Sequence, residues 1–188
     1  NVWGYHLFNL ILHVLTTLAL FGVVRRTLKS PPLITRLGAE ATPLSFAIAL
    51  IWTVHPLLTD AVTYVVQRTE VLMGLFCLLT LYCSIRAGEP VMSARRRLLW
   101  VAGAIVSCAL GMGSKQTMVV APLIVWVWDW LFGERLSGDT GKLASRGDRR
   151  LLYAGLSATW LILAVLVWME RWPHSIGLAR EGWTPWTY

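Results

Sequence analysis

The stretch GYHLFNLILHVLTTLALFGVV, residues 4 to 24, contains no Asp, Glu, Lys or Arg. Wound as an α-helix at about 1.5 Å per residue it is roughly 30 Å long, the thickness of a bilayer's hydrocarbon core. Lipid supplies no hydrogen-bond partners, so a spanning segment must satisfy its own backbone, and for a run of this length that means a helix. Five further apolar runs follow, Pro43–Val54, Val71–Ile85, Leu98–Met112, Met118–Phe132 and Leu151–Met169. With their flanks they predict spans over 4–24, 43–56, 69–86, 98–114, 116–133 and 150–170. Several runs are short, so the apolar residues after Pro56 and snorkelling Lys and Arg side chains must complete them. The composition, 56% hydrophobic with 14% charged residues and a mean hydropathy of +0.58, departs from soluble usage in the same direction. The predicted fold is an all-α polytopic membrane helix bundle of about six transmembrane helices.

A net charge of +7 suggests nucleic acid only if the basic residues line one face of a soluble domain. Here they alternate with the apolar runs. Arg25, Arg26, Lys29 and Arg36 follow the first run, Arg86, Arg95, Arg96 and Arg97 the third, and Arg135, Lys142, Arg146, Arg149 and Arg150 the fifth. The intervening loops keep only Arg68, Lys115, Arg171 and Arg180. By the positive-inside rule the first set faces the cytoplasm, and Asn1 and Tyr188 both lie outside. A nucleic-acid partner is excluded on this pattern, and the bilayer is the expected one. The loops at 26–41 and 133–150 are expected to be irregular.

Cys77, Cys83 and Cys108 fall inside predicted spans with no CxxC or zinc spacing, and read as small buried apolar residues. The lack of an initiator methionine and the Trp-rich end GWTPWTY give the chain the look of an excised fragment.

Ionisable groups at the edge of an apolar zone are costly and mark functional sites. On the predicted outer side lie His6, the stretch HPLLTDAVTYVVQRTE (55 to 70), the turn GMGSKQT (111 to 117) and MERWPHS (169 to 175). Pro56 lacks a backbone donor and ends or kinks the second span at His55. Beyond it Asp60, Thr63, Tyr64 and Gln67 follow i, i+3, i+4, i+7 spacing opposite Leu58, Ala61, Val62 and Val65, which predicts a short interfacial helix near 57–67. Arg68 extends its polar face. The plain interpretation is an interfacial anchor with Arg68 and Glu70 capping the next span; the functional one needs a second loop to converge on it. Lys115 supplies that loop, because the turn between the fourth and fifth runs is too short to carry it far from the bundle end. As a lone lysine there it also fits simple snorkelling to headgroups.

The GMGSKQT turn fits no G-x-x-x-x-G-K-[ST] motif and follows no strand, so any phosphate contact comes from Lys115 as a point charge. His6, Asn9 and His13 share one helix face, but the histidines are about 10 Å apart along the axis, too far to chelate one ion alone. They read as polar packing groups, or as lining of a cavity. Asp129, among Trp126, Trp128 and Trp130, reads as an interfacial or helix-end packing group.

Three segments, GYHLFNLILHVL (4 to 15), HPLLTDAVTYVVQRTEVL (55 to 72) and GSKQTMVVAPLIVWVWDWLF (113 to 132), resemble in order and spacing the membrane domain of the transmembrane and tetratricopeptide-repeat O-mannosyltransferase-like proteins and their bacterial relatives. These belong to the C-type, multi-spanning glycosyltransferase superfamily. The most specific piece is HP-x-x-T-[ED]-AV-x-x-V-x-x-R-x-[ED]-x-L, met here by His55, Pro56, Thr59, Asp60, Ala61, Val62, Val65, Arg68, Glu70 and Leu72. Asp60 stands where glutamate is more usual. The likeness covers nearly all of residues 1–188 but only the middle of the family's membrane domain. It leaves outside the chain a first span with an acidic external loop, the later spans and the repeat domain.

The resemblance implies transfer of a sugar, mannose for this branch, from a polyprenyl-phosphate carrier to a protein Ser/Thr hydroxyl on the external or lumenal face. The membrane would be a bacterial inner membrane, or that of the endoplasmic reticulum in a eukaryote. A carboxylate would accept the hydroxyl proton and cations would stabilise the departing phosphate. On that basis Asp60 and Glu70 are catalytic candidates, Arg68 and Lys115 the donor-phosphate clamp, and His6, His55 and Gln116 cavity-lining groups. The principal catalytic acid falls in the loop before residue 1, so the fragment alone is expected to be inactive. A membrane transporter or non-enzymatic scaffold of similar hydropathy is the alternative. A transporter would gather its polar groups near the midplane, a transferase at one outer cavity. No metal site is predicted, and sugar identity, acceptor, metal dependence and oligomeric state stay open.

Overall fold

The computed structural model describes residues 2–56, 68–89, 92–133 and 146–169. Among them are seven α-helices and no strand: α1 (Val2–Leu28), α2 (Ile34–Leu37), α3 (Ala41–Thr53), α4 (Arg68–Ala87), α5 (Ala94–Ser114), α6 (Ala121–Phe132) and α7 (Arg146–Met169), with a 3-10 helix, Gln116–Val120, leading into α6. The apolar runs all become helices. Four of these are long and apolar enough to cross a membrane, over His6–Leu28, Thr69–Ala87, Ala94–Ser114 and Gly147–Leu166. The second and fifth runs are the shorter apolar helices Ala41–Thr53 and Gln116–Phe132. At about 1.5 Å per residue α3 reaches roughly 20 Å, so the second predicted span relies on residues after Pro56. Those, with the interfacial helix predicted near 57–67, lie outside the described residues.

Two of the loops expected to be irregular carry helix. α1 continues through Arg25 and Arg26 to Leu28, where cations complement the negative end of the helix dipole. α2 forms inside the 26–41 loop. α7 begins at Arg146, inside the 133–150 loop, with Asp148 in its first turn, where a carboxylate is favoured.

α4 lies centrally, packed on α1, α5 and α6, while α5 packs on α7 and α1 on α3. The largest core, around Val101, Ala104, Cys108, Met112, Met118, Val125, Leu152 and Leu156, joins α5, α6 and α7 to the end of α4. A smaller one joins Leu12 and Ala19 of α1 to Val71 and Leu75 of α4. Small residues set the helix separations. At Gly22 of α1 an added Cβ would lie 2.6 Å from Cε2 of Tyr82, so the backbone and the ring share space that only glycine leaves free.

The distribution of polarity reverses that of a soluble protein. Thr16, Ser45, Thr80, Ser84 and Thr159 are buried, while Phe46, Ile51, Leu99, Leu161 and Trp168 are exposed. The buried hydroxyls bond within their own helix, as Thr16 does to the Leu12 carbonyl at 2.7 Å and Ser84 to that of Thr80 at 2.7 Å. Cys83 and Cys108 are buried and Cys77 half-buried, all three free thiols. The chain is a multi-pass all-α membrane protein.

Candidate functional site

The polar groups collect at the two ends of the bundle. Successive long helices alternate in direction: α4 ends near the end of α1 through Arg26–Glu89, α5 begins there through Arg97–Asp148, and the end of α6 meets the start of α7 through Asp129–Arg149. This is the basic end. The start of α4 and the end of α5 form the opposite end.

At that opposite end α5 stops at Ser114. Lys115 is extended, with φ −158° and ψ 141°, and its N–H donates to the Gly111 carbonyl at 3.1 Å. The Lys115 carbonyl accepts the N–H of Met118 at 3.1 Å, which starts the 3-10 helix at once. The break in the helix turns the Lys115 ammonium onto Glu70, in the first turn of α4, and the two form an ion pair. Glu70 there also meets the positive end of the α4 dipole. The side chains are 36% exposed for Lys115 and 44% for Glu70, so neither end of the pair is buried. As a partly exposed pair it contributes at most about 1 kcal/mol to stability.

The other site residues are placed as follows. Arg68 opens α4, in the same turn as Glu70. Gln116, exposed, is the first residue of the 3-10 helix beside Lys115. His55, exposed, follows the end of α3, its N–H donating to the Trp52 carbonyl at 3.3 Å. His6 is exposed on the second turn of α1. Asp60 lies outside the described residues. Among the described residues, Glu70 and Lys115, 45 residues apart in the sequence, are thus brought into contact.

His13, by contrast, packs. It is 5% exposed, stacks on Trp52 with ring centroids 5.1 Å apart, and places Nε2 3.1 Å from the Thr53 carbonyl that the end of α3 leaves without a helical partner. Thr17 and Thr53 share a hydrogen bond of 2.9 Å beside it. Among the described residues no three His, Cys, Asp or Glu side chains come together as metal ligands.

The basic end holds a network that the spacing of charges does not reveal. Glu89 bridges Arg26 at 3.2 Å and Arg86 at 3.1 Å; Arg97 pairs with Asp148 at 3.2 Å; Arg149 pairs with Asp129 at 2.9 Å. Tyr153 also donates to the Asp129 carboxylate, and Trp128 Nε1 donates to Thr27 at 2.9 Å. Arg26 lies over the Tyr82 ring and Arg86 over that of Trp100, at 4.6 and 4.9 Å. Asp129 is a helix-end group, as expected, but it is buried and ion-paired. The signal for the network in the sequence is that Glu89 is the one acid between Arg86 and Arg97, and that Asp148 stands between Arg146 and Arg149.

Known proteins give this arrangement a context. Over 182 aligned residues, 93% of this chain and 20% of the relative, the chain is 30% identical to protein O-mannosyl-transferase TMTC2 of Mus musculus. The chain belongs to the transmembrane and tetratricopeptide-repeat O-mannosyltransferase-like family. The human TMTC2 of the same name is 29% identical over the same share of the chain. Protein O-mannosyl-transferase Tmtc3 of Drosophila melanogaster is 30% identical over 88% of the chain and 21% of its own length. This family member therefore spans about a fifth of the length of these relatives. No family model and no solved structure matches it.

Proposed function

We propose that the chain is the donor-phosphate half of a membrane glycosyltransferase site that moves a sugar, mannose, from a polyprenyl-phosphate carrier to a protein Ser/Thr hydroxyl on the external or lumenal face. The observation that carries this is the meeting of Lys115 and Glu70 at the end away from the basic loops, in a family whose named members are protein O-mannosyl-transferases. The positive-inside rule turns that end outward.

In the reaction the acceptor oxygen attacks C1 of the sugar, the C1–O bond to phosphate breaks, a carboxylate takes the hydroxyl proton, and polyprenyl phosphate leaves with the bonding pair. The leaving phosphate gains charge as the bond breaks, so a cation already in place lowers the barrier without reorganising. Lys115 and Arg68 are those cations. Glu70 holds the Lys115 ammonium before the donor arrives and gives it up to the phosphate. Asp60 is this chain's carboxylate candidate for proton transfer, with the principal base in the part of the protein before residue 1. His6, His55 and Gln116 line the approach. The 188-residue chain alone then transfers nothing.

The test is transfer of radiolabel by the full-length protein from a panel of polyprenyl-phosphate sugars to protein acceptors. Label from the mannose donor is expected. No transfer from any donor would replace this proposal with a transporter or scaffold.

A further inference from the structure

Two cavities adjoin at the basic end. One, of about 290 Å³, is lined by Arg25, Arg26, Lys29, Arg149, Glu89 and Trp128 among others. The second, of about 430 Å³, shares Arg25 and Arg26 and runs between α1 and α4 along Leu15, Leu18, Phe21, Leu75, Leu79 and Tyr82. One is a charged chamber and the other an apolar groove, and two arginines form their common wall.

Among the described residues the charges of the chamber do not cancel. Arg26 is held by Glu89 and Arg149 by Asp129. Arg25 only donates to the Thr42 hydroxyl at 3.1 Å, and Lys29 has no ion pair among the described residues. Among the described residues two positive charges are left without a counter-charge at the mouth of the groove. The groove has the length of an acyl chain: from Leu15 to Arg25 the helix rises about 15 Å, half of a ~30 Å hydrocarbon core. Gly22 and Tyr82 both line it, with the ring close against the glycine backbone.

We propose that this end of the bundle binds an anionic glycerophospholipid, its phosphate between Arg25 and Lys29 and one acyl chain in the α1–α4 groove. A zwitterionic lipid leaves the two charges uncompensated, because its own cation cancels its phosphate. A free anion fills the chamber but leaves the groove to unspecific lipid. The site stands apart from the sugar-transfer proposal, which concerns the opposite end.

Native mass spectrometry of the full-length protein, titrated with dioleoyl phosphatidylglycerol or dioleoyl phosphatidylcholine, tests it. Phosphatidylglycerol should be retained in preference, and the Arg25→Gln/Lys29→Gln variant should bind it roughly 30-fold more weakly, at about 1 kcal/mol per charge. Removing the same charge outside the cavity, in Arg36→Gln/Arg95→Gln, should leave the preference intact. Leu18→Trp, which fills the groove from an exposed position, should weaken phosphatidylglycerol binding. Equal retention of both lipids, or equal loss in the two double variants, would overturn the proposal in favour of unspecific annular lipid. Displacement of phosphatidylglycerol by millimolar inorganic phosphate would make it a free-anion site. Preferential retention of a polyprenyl phosphate would overturn it as well, by moving the carrier to this end.

Discussion

Asp129 sits in the last turn of α6, where the negative end of the helix dipole disfavours a carboxylate, and only 6% of its side chain is exposed. Its charge is tolerated because Arg149, from the start of α7, reaches it at 2.9 Å and Tyr153, one turn further along α7, donates to the same carboxylate. Asp129→Ala removes both contacts and leaves a guanidinium that is itself only 20% exposed. Breaking a buried pair costs about 3–5 kcal/mol. Arg149 retains some access to solvent, which favours the lower end, about 3 kcal/mol. For a domain of this size that lowers the melting temperature by roughly 6–12 °C. Asp129→Asn keeps an acceptor for Tyr153 and loses only the charge, so about half of that shift is expected; Tyr153→Phe should cost about 1 kcal/mol. The assay is size-exclusion of detergent-solubilised protein after graded heating, with the double variant Asp129→Ala/Arg149→Ala closing a thermodynamic cycle. The double variant should be less harmed than the sum of the singles, because it leaves no unpaired charge. Additive losses, or Asn as damaging as Ala with Tyr153→Phe silent, would refute the reasoning.

At the opposite end, exchanging the charges in Glu70→Lys/Lys115→Glu should restore assembly of the turn but not sugar transfer, which separates structural pairing from phosphate binding in a transfer assay. Arg68→Ala is expected to abolish transfer from a polyprenyl-phosphate sugar while the protein still inserts; wild-type turnover would remove Arg68 from the clamp. Gly22→Leu should push α1 off Tyr82 and cost about 1–3 kcal/mol, read as a lowered melting temperature with insertion unchanged.

The helices were legible because lipid leaves few choices: a charge-free run such as residues 4–24 has to satisfy its own backbone, and α1 follows. The alternation of Arg and Lys clusters likewise anticipates one basic end, since each span reverses the chain. That Lys115 lies at the end of the bundle was legible through the shortness of its turn, and the place of Glu70 at a helix start through the apolar run that follows it. Which of the nearby acids Lys115 would meet was not, because that depends on how α4 and α5 pack side by side. Arg149 and Asp129 were opaque for the same reason: they lie on different helices, and neither charge carries a periodic signal pointing to the other. The shortness of α3 was foreshadowed by Pro56, and the packing of His13 agrees with its reading as a polar packing group, whereas its partner Trp52 was not legible, because that depends on how α1 and α3 pack.

On the proposed function, Lys115 holds the phosphate of a lipid-linked sugar donor. The most direct test is the initial rate of label transfer from polyprenyl-phosphate mannose by full-length protein and its Lys115→Ala variant, with equal insertion verified and donor concentration varied. The variant should lose at least a hundredfold in kcat/KM, the scale of one transition-state charge contact, largely in kcat because the leaving phosphate gains charge in the transition state. An unchanged kcat/KM would contradict it.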